Sequence, residues 1–151
     1  QNATNTGISL LAGIYEPLDN NGGGSFTNTV HLPHGLTRPI WNTTTNQFDF
    51  SELALGSFIV LRLDFDLTTT SGNTDLEVDM DFAIGAPEAY SVVLGRRFFK
   101  NNRTYLSESL TMMFYIGDTP TQLNPAKLKV KTDSNTTLKL NGWALGITVK
   151  Q

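Results

Sequence analysis

The 151-residue chain contains no cysteine, which removes disulfide scaffolds and thiolate metal centres and leaves its compartment undecided. Its two histidines, His31 and His34, sit in "HLPHG". Pro33 and Gly35 dictate a turn there, and no further His or Cys exists to complete a zinc shell. No apolar run approaches the ~18 residues of a membrane span. Basic charge is not in excess: 11 Lys and Arg stand against 14 Asp and Glu, a net charge of −3, so nucleic acid is not an expected partner. Helical periodicity and heptads are nearly missing. With no nucleophile-elbow glycine pattern, no serine marked out and the acids set in regular rows, nothing requests catalysis, and the chain reads as a non-enzyme without cofactor.

What remains is a globular composition, 39% apolar and 17% charged, rich in Thr and Asn. The length suits one domain with a real core, expected over residues 1–151. The opening "QNATNTG" has neither Met nor a signal pattern. It reads as cut from a longer chain with something upstream, or as the product of signal removal.

Alternation at period two recurs along the chain. In "FIVLRLDFDL", Ile59, Leu61, Leu63, Phe65 and Leu67 point one way and Val60, Arg62, Asp64 and Asp66 the other. In "DLEVDMDFAIG", Leu76, Val78, Met80, Phe82 and Ile84 oppose Asp75, Glu77, Asp79 and Asp81. "AKLKVKT" sets Leu128 and Val130 against Lys127, Lys129 and Lys131, a basic row suited to guarding an exposed sheet edge. Further strands are expected at Ile8–Tyr15, Phe26–Leu32, Gln47–Phe50, Tyr90–Phe99 and Thr137–Val149, and one helical turn in "FSELALG". The glycine-rich Asn20–Ser25 reads as a tolerated surface loop. Eight or more short strands separated by turn residues predict an all-β antiparallel sandwich, a jelly roll.

Some strands are apolar on both parities. In "LTMMFYIG", Leu110, Met112, Phe114 and Ile116 share one face, yet Met113 and Tyr115 occupy the other. In the last strand Leu138 and Leu140 have even parity, whereas Trp143, Leu145, Ile147 and Val149 have odd parity. A bulge at Asn141–Gly142 returns all six to one side and leaves Ala144, Gly146 and Thr148 on the other. "YSVVLG" likewise has Val93 opposite Val92 and Leu94. A lone sandwich buries only its inner faces, so the second face calls for a cover: the irregular stretch Asp19–Asn46, or another subunit, which is the favoured reading.

These stretches, with "FDFSELALGSFIVLRLDFDL", "SLTMMFYIGD" and "LNGWALGITVKQ", give a chain that resembles the trimeric heads of viral fibres. Most specifically it is similar to the distal knob of the tail needle of short-tailed phages, and more loosely to the adenovirus fibre head. The resemblance implies a tumour-necrosis-factor-like jelly roll forming a homotrimer and a coiled-coil shaft upstream of Gln1. It also implies a place at the virion tail tip, facing the host surface, and a role in attachment and genome delivery. Seam residues are then Val93, Met113, Tyr115, Ala144, Gly146 and Thr148.

The expected host partner is a cell-surface component such as lipopolysaccharide or an outer-membrane protein; the basic "GRRFFKNNR" reads first as a soluble turn with scattered charge and second as a contact for it. Arg62, an isolated cation on its strand, is read first as an ion-pair partner of a neighbouring strand's carboxylate. It is also a candidate, with Arg96 and Arg97, for a small anionic ligand at a subunit seam. The acidic rows invite calcium only if the two strands face each other. Carboxylates at i and i+2 lie ~6.6 Å apart, too far for a cage from one strand, and consecutive long strands of a jelly roll often go to opposite sheets; no metal is expected. The N-x-S/T frames at Asn2, Asn42, Asn102 and Asn135 follow from composition. An alternative function is a monomeric carbohydrate-binding jelly-roll module of a larger enzyme, with Trp41, Trp143 and Tyr15 as the aromatic platform; a third is a glycan depolymerase tip.

Overall fold

The computed structural model describes residues 7–18, 32–33, 35–70, 72–100 and 105–150. His31, His34, Asn2, Asn102, Arg103, the Asn20–Ser25 loop and residues 26–31 of an expected strand lie outside them. Among the described residues the elements in chain order are β1 (Ile8–Leu10), β2 (Glu16–Pro17), β3 (Trp41–Asn42), β4 (Gln47–Phe48), β5 (Phe58–Thr69), β6 (Asn73–Phe82), β7 (Tyr90–Lys100), β8 (Tyr105–Tyr115), α1 (Thr119–Leu123), β9 (Lys127–Thr132) and β10 (Thr136–Thr148).

Sheet A has the order β1-β10-β5-β8 and sheet B the order β2-β9-β6-β7, all pairs antiparallel; β3 and β4 form a separate hairpin. The connections β1–β2, β5–β6, β7–β8 and β9–β10 each cross between sheets. The acidic rows of β5 and β6 therefore lie in different sheets and never face each other.

The core lies between the sheets. Ile59, Leu61, Leu63, Phe65 and Leu67 of β5 are buried, as are Leu76, Val78, Met80 and Phe82 of β6 and Leu128 and Val130 of β9. The register of β10 against β5 shifts between Leu140 and Gly142, and this bulge brings Trp143 onto the same buried face as Leu138 and Leu140. At the β7–β8 corner the sheets come close. An added Cβ on Gly95 would stand 3.1 Å from Leu110 Cδ2 and from Met112 Cγ, so a larger residue there would require those side chains to shift.

The segment between β2 and β5 closes one end of the sandwich. Ile40, Trp41, Phe48, Phe50 and Leu53 are buried. Trp41 meets Trp143 edge-on at 4.5 Å, and Phe50 lies 5.8 Å from Phe114. The described part of the irregular stretch thus enters the core. "FSELALG" forms two turns, Leu53 N–H to Phe50 O and Ser57 N–H to Ala54 O, and no helix. The helix lies at Thr119–Leu123, where Asp118 accepts the Thr121 N–H at 2.8 Å and Pro120 occupies the first turn.

Sheet B solves a charge problem on its outer face. Register places Glu77 opposite Lys131, Asp79 opposite Lys129 and Asp81 opposite Lys127. Lys129 reaches Asp81 at 2.6 Å and Lys131 reaches Glu77 at 3.0 Å. β9 is therefore an inner strand between β6 and β2, and its lysines neutralise β6 where edge protection had been expected. Tyr15, just before β2, lies over the row: its hydroxyl donates to Glu77, and Lys131 and Lys129 sit 4.3 and 4.6 Å from its ring centroid. Glu77 and Asp79 are buried under it, contrary to the expected solvated face. Arg96 of β7 adds a second ion pair to Glu77.

The Tyr15 hydrogen bond, with Lys131 and Arg96, holds the Glu77 carboxyl below its ordinary 4.5 against the opposing effect of burial. Burial, then Glu77, pushes the Tyr15 hydroxyl up to about 12, so it remains a donor.

Two outcomes are expected. Phe48→Ala, at a fully buried position, should cost about 3–5 kcal/mol in urea unfolding; Phe98→Ala, at a side chain 58% exposed, should stay within about 0.5 kcal/mol. Because the folded Glu77 value is depressed, its contribution is complete above 4.5 and lost as pH falls below it. Glu77→Gln should therefore unfold more readily at pH 7 and lose less stability than the native chain on acidification; parallel acid limbs would refute the assignment.

Candidate interaction surfaces

The outer face of sheet A carries five of the six residues expected at a seam. Its rows can be read across the strands from β8 through β5 to β10: Tyr115, Phe58, Thr148; then Met113, Val60, Gly146; then Thr111, Arg62, Ala144; then Ser109, Asp64, Gly142. The first two rows are apolar apart from Thr148 and the Tyr115 hydroxyl, the third is mixed and the fourth polar. Met113 and Tyr115 are 64% and 66% exposed, Phe58 39%. These side chains face solvent because their neighbours of opposite parity, Met112, Phe114 and Ile59, are committed to the core. Gly146 adds no side chain, and its nearest neighbour, Val60 Cβ, would lie 3.8 Å from an added Cβ, so Val60 stays accessible at the centre of the face. The tyrosine ring folds back over Gly117, where an added Cβ would come within 2.9 Å of it.

Phe58 and Val60 were not singled out in the sequence. The signal was present: both share parity with Arg62, and Phe58 opens the strand on the same side as Val60. What the sequence lacks is that β5 runs between β8 and β10.

Val93 does not belong to this face. It lies on β7 in sheet B, opposite Asp79, where a register shift between Val78 and Asp79 accommodates Leu94 as an extra residue. β7 is the edge of sheet B and carries its own apolar exposure, with Tyr90, Val92 and Val93 each about two-fifths exposed. Tyr90 also stacks on Phe82 and bonds to the Thr121 hydroxyl at 2.9 Å.

The three candidate anion-binding arginines do not converge. Arg62, on the outer face of sheet A, binds Asp64 of its own strand at 2.9 Å through Nε and again through Nη2, so its partner is two residues along and not on a neighbouring strand. Arg96 pairs with Glu77 on the outer face of sheet B, while Arg97, of opposite parity, reaches Glu108 of β8 at 3.5 Å. Alternation separates Arg96 from Arg97, as their adjacency in sequence requires.

The aromatic platform of the carbohydrate-binding alternative is not formed by the expected residues. Trp41 and Trp143 are 3% and 2% exposed and pack on each other in the core, and Tyr15 is engaged in the charged row. A polar groove of about 240 Å³ does exist beside the β3–β4 hairpin, where Asn42, Gln47 and Asp49 face Leu123 and Pro125. Among the described residues no group of three or more His, Asp or Glu side chains is arranged to hold a metal ion.

No family model and no curated protein matches the chain in sequence. Solved structures do share its fold. Eiger TNF from S. frugiperda aligns over 99% of this chain and 89% of its own, with a TM-score of 0.57 at 11% identity. The CBM22-1 xylan-binding domain of Paenibacillus barcinonensis Xyn10C aligns over 70% of this chain, with a TM-score of 0.51 at 8% identity. The chain spans 65% of that domain's length. At such identities the likeness is one of fold alone: this is an all-β antiparallel sandwich similar to the tumour-necrosis-factor-like jelly roll.

Proposed function

We propose that this domain is the homotrimeric head of a viral fibre, of the kind found at the tip of the tail needle of short-tailed phages. In this reading it contacts the host envelope during attachment and genome delivery, and it acts through assembly and binding without catalysis. The observation that carries the reading is the apolar double row Tyr115–Phe58 and Met113–Val60–Gly146 on the outside of a sheet whose inside is already buried. Leaving Met113, Tyr115 and Phe58 in water forgoes roughly 25 cal/mol per Å2 of apolar surface. A second copy recovers that energy.

Ring closure, rather than twofold pairing, is supported by the placement of Val93. A twofold interface joins one patch to itself, whereas a ring joins two different patches. The β7 edge exposes further apolar side chains, Tyr90 and Val92 on one parity and Val93 on the other, at a place distinct from the sheet A face. Arg62 stands where the apolar rows give way to polar ones. A small anion at the seam would compete there with Asp64 for the guanidinium. A lipopolysaccharide or outer-membrane protein remains the proposed host partner, and the virion tail tip the proposed location. The carbohydrate-binding alternative retains the fold but loses its tryptophan platform.

Sedimentation equilibrium tests the assembly. The native chain should run at three times its single-chain mass at low micromolar concentration, and Met113→Glu, which places a charge among the exposed apolar rows, should run at one. Its circular dichroism should be unchanged, since Met113 contributes nothing to the core. A native chain that stays single when concentrated would remove the reading.

A further inference from the structure

The turn joining β1 to β2 is built for an apolar environment. Leu11, Ala12, Gly13 and Ile14 follow one another without a polar side-chain atom, and all four are exposed, Leu11 by 58% and Ile14 by 51%. Ile14 N–H donates to Leu11 O at 3.0 Å and Gly13 has φ 77°, as the third residue of a type II turn requires. An added Cβ on Gly13 would meet nothing within 4 Å, so that side of the turn is open to solvent. Two further donors are bonded: Gly13 N–H binds Thr132 O at 2.7 Å and Ala12 N–H binds Asn135 Oδ1 at 3.0 Å. Leu10 anchors one side in the core and the Tyr15–Glu77 bond anchors the other.

The geometry points to this turn as a lipid-inserting tip, with Leu11 and Ile14 entering the interfacial layer of a phospholipid bilayer. Backbone donors that enter lipid must already be bonded within the protein, and here the N–H groups of Ala12, Gly13 and Ile14 are. A protein partner fits less well. Two aliphatic side chains on a convex turn offer on the order of 200 Å2, against about 800 Å2 per partner for a standard interface. No polar side chain within the turn could set an orientation. A bilayer imposes neither demand, and several copies of one weak anchor add through avidity. Asp133 is exposed beside the hydrogen-bonded Thr132, and the chain's net charge is −3, so the attraction is apolar and not directed at anionic headgroups.

The inference deepens the proposed head function by naming what the head touches, and its direction rests on that reading. Ile8 lies opposite Leu138 and Leu10 opposite Thr136, so β1 itself runs from the Thr148 side of β10 toward the Leu11–Ile14 turn. A shaft attached at the Thr148 side leaves the Leu11–Ile14 turn at the far end, beside the β5–β6 and β9–β10 turns, where Thr70 N–H meets Asn135 O.

The test uses the full chain and neutral phosphatidylcholine vesicles. The native protein should float with the vesicles at low and high salt alike. Leu11→Ser with Ile14→Ser should lower partitioning about tenfold or more while leaving the sedimentation mass unchanged. Ile14→Trp should give tryptophan emission that shifts to the blue when vesicles are added, and the same change combined with Met113→Glu should shift as well. Absence of native flotation, equal flotation of the serine variant, or an Ile14→Trp emission indifferent to vesicles would overturn the inference. The mass and the emission are read separately, so a single-chain native protein that still shifts would defeat the trimer and leave the lipid contact standing.

Discussion

The twelve residues of β5 pair with β8 on one side and β10 on the other, and this double register decides what the molecule shows to solvent. A strand offers only two directions for a side chain, so a one-residue slip would exchange the faces completely. The β10 strand would make that exchange halfway along its length if it were regular: Leu140 points inward, and strict alternation would put Gly142 and Ala144 inward with Trp143 in water. The bulge at Leu140–Gly142 resets the parity, and Trp143 takes its place against Trp41 and Phe48. The outward set Ala144, Gly146 and Thr148 is thus a consequence of burying the indole.

The two outer faces manage exposure by opposite means. Sheet B alternates acids and bases between β6 and β9 and lays Tyr15 over them, so that Glu77 is buried with three partners rather than stranded. A buried carboxylate without such partners would be strongly destabilising, so Tyr15, Lys131 and Arg96 together allow Glu77 to be buried. Among the described residues no such cover lies over the outer face of sheet A. Its central pair of rows combines large apolar side chains on β5 and β8 with small residues on β10, a wall beside a shallow floor.

Much of this was legible from period-two patterning. The alternation of β5, β6 and β9, the bulge at Asn141–Gly142 and the doubly apolar character around Met113 all follow from residue order, because each reflects a local demand on one strand. The remainder depends on which strands become neighbours. Parity could place Val93 opposite Val92 but could not say that β7 belongs to sheet B; nor could it reveal that Val60 bridges Met113 and Gly146 while Phe58 bridges Tyr115 and Thr148. The basic row of β9 resembles an edge device until β6 and β2 are seen to flank it. Trp41 and Trp143 have the same aspect in sequence whether they form a platform or a core, since aromatic rings serve both. The α1 helix leaves little trace in the sequence, since five residues are too few to show a period and only Asp118 and Pro120 mark it.

The apolar rows and the apolar turn lie at opposite ends of the sandwich, and this separation lets both act at once. Along sheet A the outer face passes from Tyr115–Phe58 through Arg62 to Asp64 and Asp66, becoming steadily more polar toward the end that carries Leu11 and Ile14. Copies joined through the apolar rows would be held most tightly near the Thr148 end. The polar rows, which gain little from leaving water, would remain hydrated nearer the turn. Under threefold symmetry the turns then project in a common direction, each pinned by its own bonds to Thr132 and Asn135. If copies associate as proposed, the opposite end would become a multivalent surface without any change in the fold of a single copy.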